Sequence, residues 1–396
     1  MSVRVVTGRR VLTCVLAAST IFAVAGCAGD DQEPSGAANA GGGDKGGVVK
    51  IGVVAATSGP YALGGNQNVE GMKVAAEKLN ADGGVLGKKV ELVISDTQAD
   101  PTQAVTVTRR LLSDGVNALT GSVSSDDAIP MVNAAKDTVP LAVTMGSGTS
   151  IAEANNPNVV QLNCSSPAKE VPIVDYIGSQ AGVTKAAMLV QNNEFGKSVL
   201  AQYKDAWKNG GPKIVYEGLY QATTTDFSAL VARAKSAGAD GLYVAGATQQ
   251  YIKAFQQADQ IGFKPKVRWL AGEAVQPASL KLNAAAIEGV ITGSVYNPFN
   301  EEPVNQEFVK AYQASTGETP GWFSVLGYDS IMLLAEAMKA ANSVDDKDKV
   351  STALRTVNYS GPRGPVTLAP DSPQDKCQAK LTRVVGGKLE NIENAG

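Results

Sequence analysis

The chain has 396 residues, of which 44% are hydrophobic and 18% charged, and its formal net charge at neutral pH is −3. This near balance of acidic and basic residues excludes the strongly basic surface with which proteins bind nucleic acid or an anionic membrane. Histidine is absent from the sequence, which excludes histidine metal ligands and the Ser-His and Cys-His pairs of many hydrolases.

The N-terminal residues have the pattern of an export signal. Arg4, Arg9 and Arg10 form a positive start, and no acidic residue precedes Asp30. Residues 11–25 are almost wholly apolar, but this run is shorter than the roughly 20 residues that span a bilayer. We therefore predict that residues 1–26 are a signal peptide and not a transmembrane helix.

Residues 24–27, Val-Ala-Gly-Cys, resemble the bacterial lipobox, in which cleavage precedes a cysteine that receives diacylglycerol. On that interpretation Cys27 becomes the first residue of the mature chain and its membrane anchor. The alternative is an ordinary signal peptide with a chance cysteine. Residues 27–47 are rich in glycine and poor in large apolar side chains, so we predict a flexible tether that spans roughly 25 Å.

About 350 residues follow the tether, which suits two domains better than one small core. Short apolar runs, typical of buried parallel strands, alternate with segments whose apolar residues recur at helical spacing. Asp100 and Pro101 form a helix start signal. In the first half we predict strands at 48–56, 90–95, 116–120 and 139–144, and helices around 69–79, 104–111 and 126–136.

The same alternation resumes after Cys164. We predict strands at 186–190, 213–219, 241–245 and 267–270, and helices around 171–177, 195–207, 227–234 and from 249 onward. Thr225 or Asp226 is the expected cap of the third of these helices. Repeated βα units with short connections indicate parallel sheets covered by helices on both faces. The sequence therefore predicts an α/β fold with two doubly wound parallel-sheet lobes.

Small and hydroxylated residues follow several predicted strands, where ligands bind in sheets of this kind. Ser124 and Ser125 lie between a strand and a helix N-terminus, so their hydroxyls and the free backbone N–H groups are a candidate site for a carboxylate or another anion. The alternative is that Ser125 and the aspartates after it only cap the helix. Gly146, Ser147 and Gly148 form a further candidate loop, because glycine allows close approach of the backbone.

The sequence contains no G-x-S-x-G elbow and no P-loop, and we predict neither a cofactor nor a bound metal. Of the four cysteines, Cys14 leaves with the signal peptide and Cys27 is the candidate anchor, so Cys164 and Cys377 remain. In an exported chain these two are candidates for a disulfide. Their spacing alone leaves two buried free thiols as an equal alternative.

Longer stretches of the body resemble a known family. The stretches are IGVVAATSGPYALGG, GMKVAAEKLNADGGVLGKKVELVISDTQADPTQAV, NEFGKS, TDFSALVARAKSAGAD and GPRGPVTL. They are similar to the extracytoplasmic solute-binding proteins of branched-chain amino acid and amide ABC transporters, from Val48 to the C-terminus. This resemblance implies the type I periplasmic binding fold and, together with the lipobox, a lipoprotein similar to leucine-binding proteins.

The fold of that family implies two lobes joined by a hinge of three crossing strands, with the ligand between the lobes. Lobe one would comprise residues 48–163 plus 295–375, and lobe two residues 164–294 plus 376–396. Because the crossings lie side by side in the family, and Cys164 and Cys377 fall near the first and the third, the resemblance favours a disulfide between them.

The resemblance also implies the residues of the ligand site. Ser125 matches a serine that holds the ligand carboxylate, and Glu273 matches a carboxylate of lobe two that binds the ligand ammonium. The other implied contacts are Ser124, the loop of Gly146, Ser147, Gly148 and Thr149, and Phe195, an aromatic residue that covers the ligand.

Two positions depart from the family pattern. Gly64 and Ala247 stand where aromatic residues are frequent, and Tyr61 is the nearest aromatic residue to the first. These changes predict a side-chain pocket with fewer walls. The ligand would then be bulkier than leucine, or would not be an α-amino acid; an amide or urea is a polar alternative.

The function that we favour from the sequence is that of a lipid-anchored, exported binding protein without enzymatic activity. It would capture an amino acid or a related amide, and its implied partners are that ligand, an ABC permease with its ATPase, and the membrane through the lipid anchor alone. One alternative is a ligand sensor of the same fold that signals to a membrane receptor. Another is an exported hydrolase, for which Ser125 has no histidine base.

Overall fold

A computed structural model of the chain describes residues 47–369, 372–377 and 379–392. The predicted signal peptide, the lipobox with Cys27 and nearly all of the predicted tether therefore lie outside the described residues. In the described part, no helix is both long and apolar enough to cross a membrane.

Strands and helices alternate through most of the chain. In chain order the strands are β1 (Val48–Ala55), β2 (Lys89–Asp96), β3 (Ala118–Gly121), β4 (Leu141–Val143), β5 (Val159–Gln161), β6 (Lys185–Gln191), β7 (Lys213–Tyr220), β8 (Gly241–Ala245), β9 (Val267–Leu270), β10 (Ile291–Ser294), β11 (Tyr359–Gly361), β12 (Gly364–Val366), β13 (Leu368–Ala369), β14 (Ser372–Asp375), β15 (Lys380–Val385) and β16 (Lys388–Asn391). The helices are α1 (Ala62–Ala81), α2 (Pro101–Ser113), α3 (Ser125–Ala135), α4 (Thr149–Glu153), α5 (Ser166–Ser179), α6 (Glu194–Trp207), α7 (Ser228–Ser236), α8 (Thr248–Gln260), α9 (Pro277–Asn283), α10 (Pro303–Thr316), α11 (Trp322–Ala340) and α12 (Lys347–Thr356).

The strands form two seven-stranded sheets and one small hairpin. The first sheet has the order β13-β14-β5-β4-β3-β1-β2 and is parallel from β14 to β2. The second has the order β16-β15-β10-β9-β8-β6-β7 and is parallel from β10 to β7. Strands β13, β15 and β16 pair antiparallel at the sheet edges. The predicted α/β fold with two parallel-sheet lobes is confirmed.

The strands form where apolar runs predict them, because helices cover both faces of each sheet. In β3, β4 and β8 every residue is buried, and in β6 only the first residue is exposed. Such burial requires the near-continuous apolar sequence that parallel strands show. The predicted strands of both halves therefore lie at nearly the same residues as the observed ones.

Two helix starts were expected from capping residues, and one is where the sequence predicts it. Asp100 caps α2, since its Oδ1 accepts hydrogen bonds from the backbone N–H groups of Thr102 at 2.7 Å and Gln103 at 3.1 Å. The predicted cap of α7 is one residue off. The N-cap position is Phe227, but Asp226 Oδ1 accepts a hydrogen bond from the Ser228 N–H at 2.9 Å. The Phe227 ring is fully buried in the core of the second lobe.

The central strand β5 escapes prediction because it is too short to show a period. Strand β5 has three residues, yet it lies between β4 and β14 in the first sheet. The chain then crosses to the second sheet after β5, returns after β10, and crosses again after β14. These three passages form the hinge between the lobes.

Cys164 and Cys377 join the first and third passages. They form a disulfide with Cα atoms 5.6 Å apart, which is within the usual range for this bond. Cys164 is buried in the core of the first lobe, and Cys377 packs against that core. The bond closes a loop with a sequence separation of 213 residues.

A buried ion cluster packs beside the hinge. The Nε–H of Arg363 donates to Asp329 Oδ2 at 2.6 Å, and its Nη1 pairs with Asp375 in β14. The Tyr359 hydroxyl donates to Asp329 Oδ1 at 2.7 Å, and burial raises the pKa of Asp329 to about 6. The cluster ties the β11–β12 hairpin to α11 and β14, which gives the arginine of GPRGPVTL a structural role.

We predict that the disulfide stabilises the folded chain through its large loop. For a loop of this size the chain-entropy model gives about 5 kcal/mol, less any native-state strain. Urea unfolding of the Cys164→Ser/Cys377→Ser variant should therefore give a free energy of unfolding lower by up to that amount. Thiol titration of the denatured Cys14→Ala/Cys27→Ala variant without reductant should find no free thiol. Two thiols in that titration would contradict the prediction.

Candidate functional site

A cavity of about 110 Å³ lies where the carboxyl ends of the two sheets face each other. The loops after β1, β3 and β4 line it from the first sheet, and the loops after β6, β8 and β9 from the second. The residues proposed from the sequence that border the cavity are Tyr61, Ser124, Ser125, Ser147, Phe195, Ala247 and Glu273.

The other three proposed residues, Gly146, Gly148 and Thr149, do not border the cavity. The Gly146 N–H donates to Ser122 Oγ at 3.2 Å, and Thr149 begins α4. Gly148 packs against Ser125: a Cβ atom at this glycine would lie 3.1 Å from the Cβ and Oγ atoms of that serine. These residues support the site and do not contact the cavity.

Ser125 is held by the backbone of the loop after β4. Its Oγ accepts hydrogen bonds from Gly148 N at 2.9 Å and from Ser147 N at 3.3 Å. A hydroxyl oxygen has two lone pairs and one proton, so the remaining capacity of Ser125 is to donate its O–H to a ligand. The N–H groups of the loop are therefore used to orient this hydroxyl.

The N-cap of α3 is Ser124, not Ser125, so the capping alternative for Ser125 is wrong. Ser124 Oγ accepts from Asp127 N at 3.2 Å, and its carbonyl accepts from Ala128 N at 3.1 Å. The start of α3 borders the cavity at Ser124 and Ser125, so the first backbone N–H groups of this helix lie beside it. Together with the Ser125 hydroxyl they can receive a carboxylate, which a helix N-terminus favours.

Glu273 lies at the opposite wall, in the loop after β9. Its backbone is in the left-handed region with a φ of 66°, which costs about 1 kcal/mol or more for a residue other than glycine. A hydrogen bond from Glu273 N to Gly293 O at 2.9 Å helps to hold it. The side chain is 4% exposed. Gln276 donates to its Oε2 at 3.2 Å, while its Oε1 has no hydrogen-bond partner among the described residues.

Lys169, in the first turn of α5, also borders the cavity. It is buried, and its Nζ donates to Asn163 Oδ1 at 2.9 Å. Burial lowers the pKa of the Lys169 ammonium and raises the pKa of the Glu273 carboxyl, because water no longer solvates either charge. Attraction between the two charges partly offsets both shifts.

A second buried carboxylate fixes the loop that carries Glu273. Glu170 Oε1 accepts from Gly272 N at 2.7 Å, and its Oε2 accepts from the Tyr203 hydroxyl at 3.0 Å. Burial raises the pKa of Glu170 to about 7. Trp269 Nε1–H donates to the Tyr203 oxygen at 3.1 Å, so the network extends from the loop into the core of the second lobe.

Beside Gly64 the first-lobe wall is apolar and more complete than the sequence suggests. A Cβ atom at Gly64 would lie 3.0 Å from Met145 Cε and 3.2 Å from a ring carbon of Phe323. These two side chains border the cavity and occupy the space beside Gly64. The expectation that Gly64 removes a wall is therefore wrong, because Phe323 of α11 supplies an aromatic face from elsewhere in the chain.

Two hydrogen bonds join the lobes beside the cavity. The Tyr61 hydroxyl, from the loop after β1, donates to Gln191 Oε1 at the end of β6 at 2.5 Å. The Glu194 N–H, at the start of α6, donates to Asp126 Oδ1 of α3 at 3.2 Å. Burial raises the pKa of Tyr61, so its hydroxyl remains a donor. These contacts hold the two lobes together over the cavity.

Sequence reasoning missed Asn163, Lys169 and Phe323, all of which border the cavity. Asn163 follows β5, so it obeys the rule that site residues follow strands, but no strand is predicted there. Lys169 and Phe323 lie in the first turns of α5 and α11, where that rule gives no signal. No cluster of three or more acidic or cysteine side chains that could hold a metal occurs in the described part of the chain.

The sequence of this chain is similar to those of known proteins. The family profile described as periplasmic binding protein matches residues 48–388. The leucine-, isoleucine-, valine-, threonine- and alanine-binding protein of Pseudomonas aeruginosa is 27% identical over 320 residues, which cover 80% of this chain and 84% of the relative. The Leu/Ile/Val-binding protein of Escherichia coli K12 is 26% identical over 321 residues, or 81% and 86% of the two chains.

Solved structures show the same fold. A solute-binding protein of an ABC transporter from Rhodopseudomonas palustris, in complex with 3,4-dihydroxybenzoic acid, is 27% identical with a TM-score of 0.79, covering 87% of this chain and 96% of its own. A branched-chain amino acid transporter substrate-binding protein from Streptococcus pneumoniae, in complex with isoleucine, is 23% identical with a TM-score of 0.78, covering 87% and 98%.

Proposed function

The chain belongs to the periplasmic binding protein family, and on that premise we propose that it is an exported protein that captures an amino acid or a related small polar solute between its two lobes. The family and the relatives named above are binding proteins and not enzymes. We further propose that the lobes comprise residues 48–163 plus 295–375 and residues 164–294 plus 376–396.

The observation that carries the proposal is the pairing of unlike groups on opposite walls of one cavity. The Ser125 hydroxyl and the N-terminus of α3 offer donors to a carboxylate on the first lobe. Glu273 offers a buried carboxylate oxygen without a partner among the described residues on the second. A zwitterion between these walls would contact both lobes, so ligand binding would favour the closed state.

The relatives are described with ligands of two classes, and Glu273 favours one of these classes for the present chain. Relatives with similar sequences are named for aliphatic amino acids, and one solved structure contains a dihydroxybenzoic acid. Both classes carry a carboxylate for Ser125. Only the amino acid carries an ammonium that can pair directly with Glu273 Oε1, which has no hydrogen-bond partner among the described residues. An aromatic acid would leave that buried oxygen unpaired, which is costly. We therefore propose that the ligand is an amino acid and not an aromatic acid.

We also propose delivery of the ligand to an ABC permease with its ATPase, and a lipid anchor at Cys27. The solute-binding protein of Rhodopseudomonas palustris belongs by its description to an ABC transporter, which supports the first proposal. The lipobox at residues 24–27 and the glycine-rich segment after it support the second. The protein would then stand on the outer face of the cell membrane, attached through the anchor alone.

We predict that Glu273→Gln weakens ligand binding while leaving the fold intact. The ligand is first identified by thermal-shift screening of amino acids and simple amides, since a ligand at 100 times its Kd adds about 2.7 kcal/mol of stability. Loss of one partner of a buried charge pair costs about 2–5 kcal/mol, so calorimetry should show a Kd raised roughly 30-fold or more. Circular dichroism of the free protein checks that the variant is folded, because glutamine also removes the opposite charge beside Lys169.

Glu390→Gln is the matched control, because this glutamate is exposed on β16 of the same lobe. It should bind the ligand as the wild type does. If Glu273→Gln also binds with wild-type affinity, Glu273 is not the ammonium partner, and the proposed ligand class returns to small polar solutes in general.

We predict that Cys27→Ala abolishes membrane attachment. The wild-type protein expressed in its own cells should partition into the detergent phase, because its N-terminal cysteine carries lipid. Cys27→Ala should remain unprocessed at residue 26, whereas Cys14→Ala, a second cysteine of the same segment, should be processed and lipidated normally. A wild-type protein found free in the medium with an unmodified N-terminus would overturn the anchor.

A further inference from the structure

The cavity contains a buried cation that neither the sequence motifs nor the relatives' names account for. Lys169 borders the cavity and is 4% exposed. Its position depends on Gly272, where a Cβ atom would lie 2.8 Å from Lys169 Cβ and 2.9 Å from Lys169 O. The glycine therefore lets the first turn of α5 pack against the loop after β9, next to Glu273.

The described residues satisfy only part of the hydrogen-bonding capacity of the Lys169 ammonium. An ammonium has three N–H donors, and within the described ranges Nζ uses one, to Asn163 Oδ1 at 2.9 Å. That oxygen is neutral and also accepts from Trp322 Nε1 at 3.2 Å. The described part of the chain gives Lys169 no salt bridge, although the charges of Glu273 and Glu170 act on it through space.

The neighbouring carboxylate of Glu170 attracts the ammonium through space but forms no hydrogen bond with it among the described residues. Glu170 follows Lys169 in sequence, but its two oxygens accept from Gly272 N and from the Tyr203 hydroxyl. It belongs to the network behind the wall, whereas Lys169 faces the cavity. A buried ammonium with unfilled donors is costly unless another acceptor completes its shell, and a ligand in the cavity can provide that acceptor.

The cavity thus presents three polar groups to a ligand. Ser125 and the start of α3 offer donors, Glu273 offers an acceptor, and Lys169 offers a second donor with a positive charge. An aliphatic amino acid supplies a carboxylate and an ammonium, which satisfy two of the three. An amino acid with an oxygen acceptor in its side chain supplies all three.

We propose that Lys169 is a ligand-binding residue and that the cavity selects amino acids whose side chains carry a carboxylate or a carboxamide over aliphatic ones. This inference rests on the proposed binding of an amino acid, and it narrows the ligand class. It assigns Lys169 to the side-chain oxygen of the ligand, Glu273 to the ammonium and Ser125 to the α-carboxylate.

The test compares two sets of ligands by calorimetry on the purified full chain. Aspartate, glutamate, asparagine and glutamine form one set, and valine, leucine, isoleucine and methionine the other. We expect the best ligand of the first set to bind at least about tenfold more tightly than the best of the second, since hydrogen bonds to charged groups are the stronger ones. Comparison within the first set separates the carboxylate from the carboxamide.

Lys169→Met removes the charge and keeps a similar length. It should weaken the best ligand of the first set about tenfold or more, and leave aliphatic ligands unchanged or tighter. Lys253→Met, an exposed lysine of α8 in the same lobe, is the matched control and should change neither. Circular dichroism checks the fold, and the wild-type ligand preference tests the inference even if the variant does not fold.

Each result decides the inference. If the wild type prefers an aliphatic amino acid, and Lys169→Met binds it as tightly as the wild type while Glu273→Gln does not, then the proposed function stands and the role of Lys169 falls. If no amino acid of either set binds, the inference about Lys169 falls, and the thermal-shift screen of simple amides tests the proposed function separately. Preference for the first set that disappears in Lys169→Met supports both.

Discussion

The attraction between Glu273 and Lys169, two opposite charges buried at one end of the cavity, is the interaction on which the proposed site depends. Burial opposes the charged form of each group, as the directions of their pKa shifts show. Neutral groups meet both charges, Asn163 at the ammonium and Gln276 at the carboxylate, and Glu273 Oε1 has no hydrogen-bond partner among the described residues. Such a pair is weak evidence for stability, and we interpret it as a recognition device for a ligand with groups of both signs.

The fold places these charges opposite Ser125 through the hinge. Three chain passages connect the sheets, and a disulfide between Cys164 and Cys377 joins two of them. On the hinge side the Trp322 N–H donates to Gln276 Oε1 at 2.6 Å, and on the cavity side Tyr61 donates to Gln191. The hinge contacts can persist while the cavity contacts break, so the lobes have a physical means of opening and closing on a solute.

The sequence predicts the fold well because most strands are buried apolar runs, and it predicts the residues that follow those strands. Ser125 and Glu273 belong to this class. Lys169 and Phe323 do not, because they enter the cavity from the first turns of α5 and α11, and no local pattern shows which helix end faces a site. The Phe227 cap and the wall beside Gly64 depend likewise on packing between distant parts of the chain.

A crystal structure of the complex with the amino acid found by screening tests the central claim most directly, because that claim is about contacts from both lobes. The account predicts a ligand carboxylate oxygen within about 3 Å of Ser125 Oγ and a ligand nitrogen within about 3 Å of Glu273 Oε1, the usual hydrogen-bond distances. A ligand that contacts the first lobe alone, with Glu273 turned away or paired only with Lys169, would contradict it.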